Sequence, residues 1–302
     1  MTCYRIGFRR AATPQIATGK EHMGNASLSP FEKKLEHPNV LLCGAPRSGS
    51  SSLIGYLQKH PQVTFLMGGD IERGGIKDQA HPLINPFGIC KNDAVFEQME
   101  LINSRPQKQQ IPAVSLALRY ALYMPHIAFN ILETVRKPKI LFILRDPVRR
   151  TYSSYTHQEK GTHKKTFLEM INVSEAEIEQ QSGFKNRNNF IDIIGEQNPS
   201  VFVERSCYYP HIIRYFALFG RANIHVVRFE EMIADPVGEL NRVYRFLGVD
   251  ETSSIEEPVH RGESRNLDPI PDEAGAYLQN LYAPYNQQLF ELLDWPKDTW
   301  AN

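Results

Sequence analysis

Cysteine is scarce in this sequence and is not arranged as a site. Four residues, at 3, 43, 90 and 207, include no C-x-x-C pair, so neither a disulfide framework nor a zinc-ligand spacing can be read from them. Scattered thiols of this kind fit a reducing compartment. An excess of either charge is also missing, since 34 basic and 34 acidic residues cancel. That balance excludes a global field able to select nucleic acid or an anionic membrane surface. Long apolar runs are absent as well. Residues 1–26 contain Arg9 and Arg10 but nowhere the roughly seven consecutive apolar residues of an export signal. The longest apolar region, Ile111 to Val135, is interrupted by Arg119, His126, Asn130 and Glu133, and reads as a buried or amphipathic helix rather than a membrane span. The expectation is a soluble, cytoplasmic chain, although an Arg-bearing, acid-poor leader also fits a transit peptide. Asn25 and Asn172 sit in glycosylation sequons, which carry no meaning without export.

What the chain does have is alternation. Asn39 to Cys43, Val63 to Leu66, Lys139 to Leu144 and Asn223 to Arg228 are short apolar runs. The first and the last two each precede a helical pattern, as parallel βαβ units do. The fold class is therefore α/β, with a central, mostly parallel sheet flanked by helices. One domain is expected over residues 37–302, after a disordered N-terminal tail at 1–36. Two polar stretches, Gly68 to Pro86 and Gly161 to Ser200, look like variable caps over a cleft.

The most informative segment is Asn39 to Leu53, NVLLCGAPRSGSSSL, in which an apolar strand enters a turn of small hydroxyl residues and then opens a helix. Backbone N–H groups and the positive dipole end converge there on an anion, and the serine hydroxyls can add donors. Gly44 to Gly49 has the spacing of a nucleoside-triphosphatase loop, but Ser50 stands where the phosphate-reaching Lys belongs. The cation comes earlier, at Arg47.

A second strand-to-helix turn lies at Lys139 to Tyr155, KILFILRDPVRRTYSSY. Pro147 fits the first turn of the helix, where its missing N–H costs nothing. Arg145 ends the strand and Ser153 lies two turns into the helix. Together with Gln58 to Val63, these segments resemble the sulfotransferases that use 3′-phosphoadenosine 5′-phosphosulfate (PAPS), nearest to their carbohydrate or heparan-sulfate-like branch. Weaker similarity follows at Ser206 to Phe219, Ile224 to Pro236, Arg245 to Gly248 and Leu281 to Trp295.

The resemblance implies a P-loop-like three-layer fold, PAPS as donor, 3′-phosphoadenosine 5′-phosphate (PAP) as product, and no required metal. It implies that Arg47, Ser48, Gly49, Ser50, Ser51 and Ser52 hold the 5′-phosphosulfate. Arg145 and Ser153 would grip the 3′-phosphate, with Tyr208, Arg261 and Arg265 as further cofactor contacts. Arg47 stands where relatives often carry Lys. It would stabilise leaving-group charge without giving up a proton. For the base that deprotonates the acceptor, the candidates are Asp70, Glu72 and His81, each in a loop whose polarity has an ordinary solvation explanation. The acceptor would be a hydroxyl or amine on a carbohydrate or small molecule. Two other classes stay open: a P-loop kinase or NTPase, and a non-catalytic nucleotide binder.

Overall fold

The computed structural model describes residues 35–66, 112–159, 165–177, 199–252, 254–255 and 269–300. Five parallel strands form one sheet in the order β2-β3-β1-β4-β5: β1 Val40–Leu42, β2 Val63–Phe65, β3 Ala113–Ala117, β4 Lys139–Leu144 and β5 Ile224–Arg228. Among the described residues, the helices of at least five residues are α1 Ser50–Lys59, α2 Pro125–Thr134, α3 Pro147–Glu159, α4 Phe167–Ile171, α5 Pro199–Glu204, α6 Tyr209–Phe219, α7 Phe229–Ala234, α8 Pro236–Leu247 and α9 Asp272–Leu293. None among the described residues is long and apolar enough to cross a membrane.

The period of two along the strands sorts the core into two layers. Leu41, Ile140, Phe142 and Leu144 face one side and pack with Ile127 and Ile131 of α2, Ile212 and Tyr215 of α6, and Leu289 of α9. Val40, Leu42, Leu141 and Ile143 face the other side and meet Leu53 and Leu57 of α1 and Leu240 and Val243 of α8. Burial on both faces explains why these strands read as continuous apolar runs rather than as alternating ones. A third cluster joins α3, α4, α5 and α9 through Tyr152, Phe167, Phe202 and Tyr282.

Two readings from the sequence change. Ile111 to Val135 is not one helix: it contains β3, a 3-10 turn at Ala121–Tyr123 and then α2, which Pro125 opens. The alanine-rich strand has little intrinsic β preference, and pairing with β1 on one side and β2 on the other overrides it. The stretch Gly161 to Ser200 is not wholly a polar cap. A capping box of Thr166 and Glu169 opens α4, whose Phe167, Met170 and Ile171 are buried. Leu35 bridges to Val135, and Glu36 pairs with Arg136 at 2.6 Å; residues 1–34 lie outside the described ones.

Chain order places the site. From β1 the chain crosses to β2, returns as β3, and then crosses β1 to reach β4, so direction reverses where β1 and β4 lie side by side. Loops at the carboxyl ends of such a strand pair form the ligand crevice of open α/β sheets. Phe142 of β4 is fully buried with its ring 5.0 Å from that of Tyr215. Replacing it by Ala should lower stability by about 3–5 kcal/mol, measured by urea unfolding.

Candidate functional site

The loop after β1 is tied to the sheet before it turns into α1. Cys43 and Ala45 N–H groups donate to the Leu141 and Ile143 carbonyls at 2.9 and 2.8 Å, and Ile143 N–H donates back to Gly44 O at 2.7 Å. Two residues then adopt left-handed backbone, Arg47 at φ 66° and Gly49 at φ 89°. A side chain at Gly49 would collide with the Phe229 ring, so both conformation and space call for glycine. Gly49 is the N-cap of α1, no side chain caps it, and the first turn holds no acidic residue. The positive end of the helix is thus not neutralised from within, which suits an anion. Ser51 and Ser52 are partly exposed there, Ser50 is buried, and Ser48 is fully buried beside the Tyr208 phenol.

The second turn comes alongside. Ser153, on α3, accepts a hydrogen bond from Arg47 Nη2 at 3.2 Å, so residues from the two strand-to-helix motifs meet directly. Arg145, immediately after β4, lays its guanidinium 4.9 Å from the centre of the Phe229 ring. Burial lowers its pKa and Glu230 opposes that shift; an arginine so placed stays cationic. Its Nε is buried without a hydrogen-bond partner among the described residues, as fits a group awaiting an anion.

Asp146 does not serve as Arg145's ion-pair partner. Its carboxylate accepts the Arg149 N–H at 2.8 Å and its own N–H donates to Glu230 Oε1 at 3.0 Å. Burial raises the pKa of this carboxyl. Tyr208, expected at the cofactor, is buried and donates its phenol hydrogen to the Arg145 carbonyl at 3.0 Å. That bond braces the backbone at Arg145.

The start of α1 with Arg47 and the turn after β4 with Arg145 are thus cationic and adjacent, joined by the bond from Arg47 to Ser153. Asp70, Glu72, His81, Arg261 and Arg265 lie outside the described residues. Sequence reasoning missed Phe229, which packs against Gly49 and under Arg145, and Glu230, which also accepts the Trp300 indole N–H at 3.2 Å. Their signal was their place at the carboxyl end of a strand, where loops form the crevice. It also missed Arg150, whose whole side chain is buried behind the loop.

Comparison with known proteins gives the family. A family model described as "Sulfotransferase domain" matches residues 37–265. The chain is 21% identical to "Membrane-associated sulfotransferase kil1" of Dictyostelium discoideum, covering 85% of this chain and 65% of that protein. It is 22% identical to "Bifunctional heparan sulfate N-deacetylase/N-sulfotransferase 4" of Mus musculus, covering 87% of this chain and 30% of that one. The chain thus spans less than two thirds of either relative. It spans 76% of "Heparan sulfate glucosamine 3-O-sulfotransferase 3B1" of Homo sapiens, with 21% identity over 95% of its own length. A sulfotransferase crystal structure from Alicyclobacillus acidocaldarius superposes with a TM-score of 0.63 at 24% identity, covering 88% of this chain and 99% of that one, a likeness of fold.

Gly49→Ala should destabilise the protein by about 2 kcal/mol or more, because left-handed strain adds to the overlap with Phe229. Urea unfolding reads the loss, and an unchanged midpoint would show that the loop relaxes freely.

Proposed function

Because the chain belongs to the sulfotransferase domain family, we propose that it transfers a sulfuryl group from PAPS to a hydroxyl or amine of a carbohydrate or small-molecule acceptor. The observation that carries this reading is the contact between Arg47 and Ser153, which joins the phosphate-binding start of α1 to the Arg145 turn. ATP has no 3′-phosphate to engage a second anion position. The 3′-phosphate of PAPS matches Arg145 and Ser153, and its 5′-phosphosulfate matches Arg47 and Ser50 to Ser52.

In the transfer, the acceptor atom attacks sulfur opposite the bridging oxygen. The new bond forms as the bond from sulfur to that oxygen breaks, and the electron pair leaves on the 5′-phosphate of PAP. Arg47, always charged and forked, stabilises the negative charge that builds there. Its left-handed backbone and its bond to Ser153 hold it in one place before reaction, and alignment of this kind supplies much of the rate in group transfer. The acceptor proton goes to a base, for which Asp70, Glu72 and His81 are the proposed groups. Arg261 and Arg265 are proposed to add charge at the 3′-phosphate.

A carbohydrate acceptor is favoured by the names of the relatives, two of which refer to heparan sulfate. A soluble, cytoplasmic setting belongs to the same reading. It is supported by Cys43 and Cys207, which are buried free thiols.

Calorimetric titration tests the donor site. The wild type should bind PAP well ahead of ADP, AMP and ATP. Arg145→Ala should weaken PAP about tenfold to a hundredfold, the worth of a hydrogen bond to a charged group, while leaving AMP unchanged. A preference for ATP, or indifference to the 3′-phosphate, would overturn the reading and revive a kinase. With labelled PAPS and an acceptor panel, Arg47→Ala should lower kcat about a hundredfold or more. Tight PAP binding without transfer to any acceptor would instead favour a non-catalytic binder.

A further inference from the structure

Behind the phosphate loop lies a buried polar cluster that the two anion positions do not use. Arg150 on α3 and Arg205 after α5 are among the largest fully buried side chains of the protein. Both stand by the Tyr123 ring, their guanidinium carbons 6.0 and 5.7 Å from its centre. Glu204 is fully buried close by and pairs with His211 at 2.9 Å. Taking cations this far out of water is expensive unless they make specific hydrogen bonds. Arg150 makes its bonds to the site's own scaffold. Its Nε donates to the Pro46 carbonyl at 3.3 Å, and its Nη1 to Ser206 Oγ at 3.4 Å.

Pro46 is the residue before Arg47, whose φ of 66° is uncommon for a side chain other than glycine. Such strain persists only where the surroundings over-determine it. Here α3 grips the loop at two successive residues: Arg150 holds Pro46 through its carbonyl, and Ser153, one turn further on, holds Arg47 through its guanidinium. Ser206 is fixed in turn by Thr151 Oγ1 at 2.7 Å, which itself lies 2.8 Å from Tyr282 Oη. The Arg145 position has a separate brace, the Tyr208 phenol.

We propose that Arg150 is a positioning residue for the 5′-anion position: by anchoring the Pro46 carbonyl it keeps the loop and Arg47 in the anion-ready conformation, and its buried charge adds a favourable potential from beneath. This rests on the sulfotransferase reading. Arg150 does not touch the nucleotide, and its effect is confined to the 5′ end because the 3′ end is braced elsewhere.

The test compares two nucleotides on three proteins by calorimetry: PAP and adenosine 3′-phosphate, which lacks the 5′ group, on wild type, Arg150→Gln and Arg150→Lys. Arg150→Gln should bind PAP about tenfold or more weakly, in line with losing a charged hydrogen bond, while its affinity for adenosine 3′-phosphate stays within about twofold. Arg150→Lys keeps the charge without the fork and should recover part of the loss, giving a readable variant if the Gln protein does not fold. Equal weakening of both nucleotides, unchanged PAP binding, or loss of the fold in both variants would overturn the proposal by making Arg150 a general stabiliser or a bystander. A wild type that binds neither nucleotide would instead bring down the sulfotransferase reading, and this inference with it.

Discussion

The parallel pairing of β1 with β4, in the register Val40 to Lys139 and Leu42 to Leu141, is the constraint on which the site depends. It carries two strand-to-helix turns, far apart in the chain, to the same edge of the sheet. Every residue proposed to bind the nucleotide's phosphates among the described residues then lies on one turn or the other: the start of α1 with Arg47, and the Arg145 turn with Ser153. The hydrogen bond from Arg47 to Ser153 is the consequence of that pairing.

Rigidity comes from what lies behind these turns. β1 and β4 are enclosed on both faces by apolar layers, so the carboxyl edge is held at the rim of a close-packed core. Phe229, arriving from the end of β5, fills the space over Gly49 and supports the Arg145 guanidinium with its ring face. Tyr208 braces the Arg145 carbonyl and Arg150 the Pro46 carbonyl. The loops are positioned by buried side chains from elements that contribute no ligand themselves, an arrangement that keeps donors in place before an anion arrives.

Much of this was legible from residues alone. The runs at Val40, Lys139 and Ile224 appear as strands, and the Gly and Ser pattern and Pro147 mark the helix starts, because those signals are local. β3 was hidden since Ala113–Ala117 becomes a strand only through its two neighbours. The helix at Phe167 carried a readable signal in the three-residue spacing of Thr166 and Glu169, which the surrounding polar sequence obscured. Phe229 and Arg150 depend on long-range contacts: an aromatic after a strand and an arginine within Val-Arg-Arg-Thr look ordinary until the sheet sets them against the phosphate loop. The proposed base candidates Asp70, Glu72 and His81 lie outside the described residues.

A crystal structure of the complex with PAP tests the central claim most directly. The account predicts the 5′-phosphate at the first turn of α1, within hydrogen-bond distance of Arg47 and the Ser50 to Ser52 segment, and the 3′-phosphate against Arg145 and Ser153. A nucleotide bound the other way round, or with no phosphate at Arg145, would contradict it.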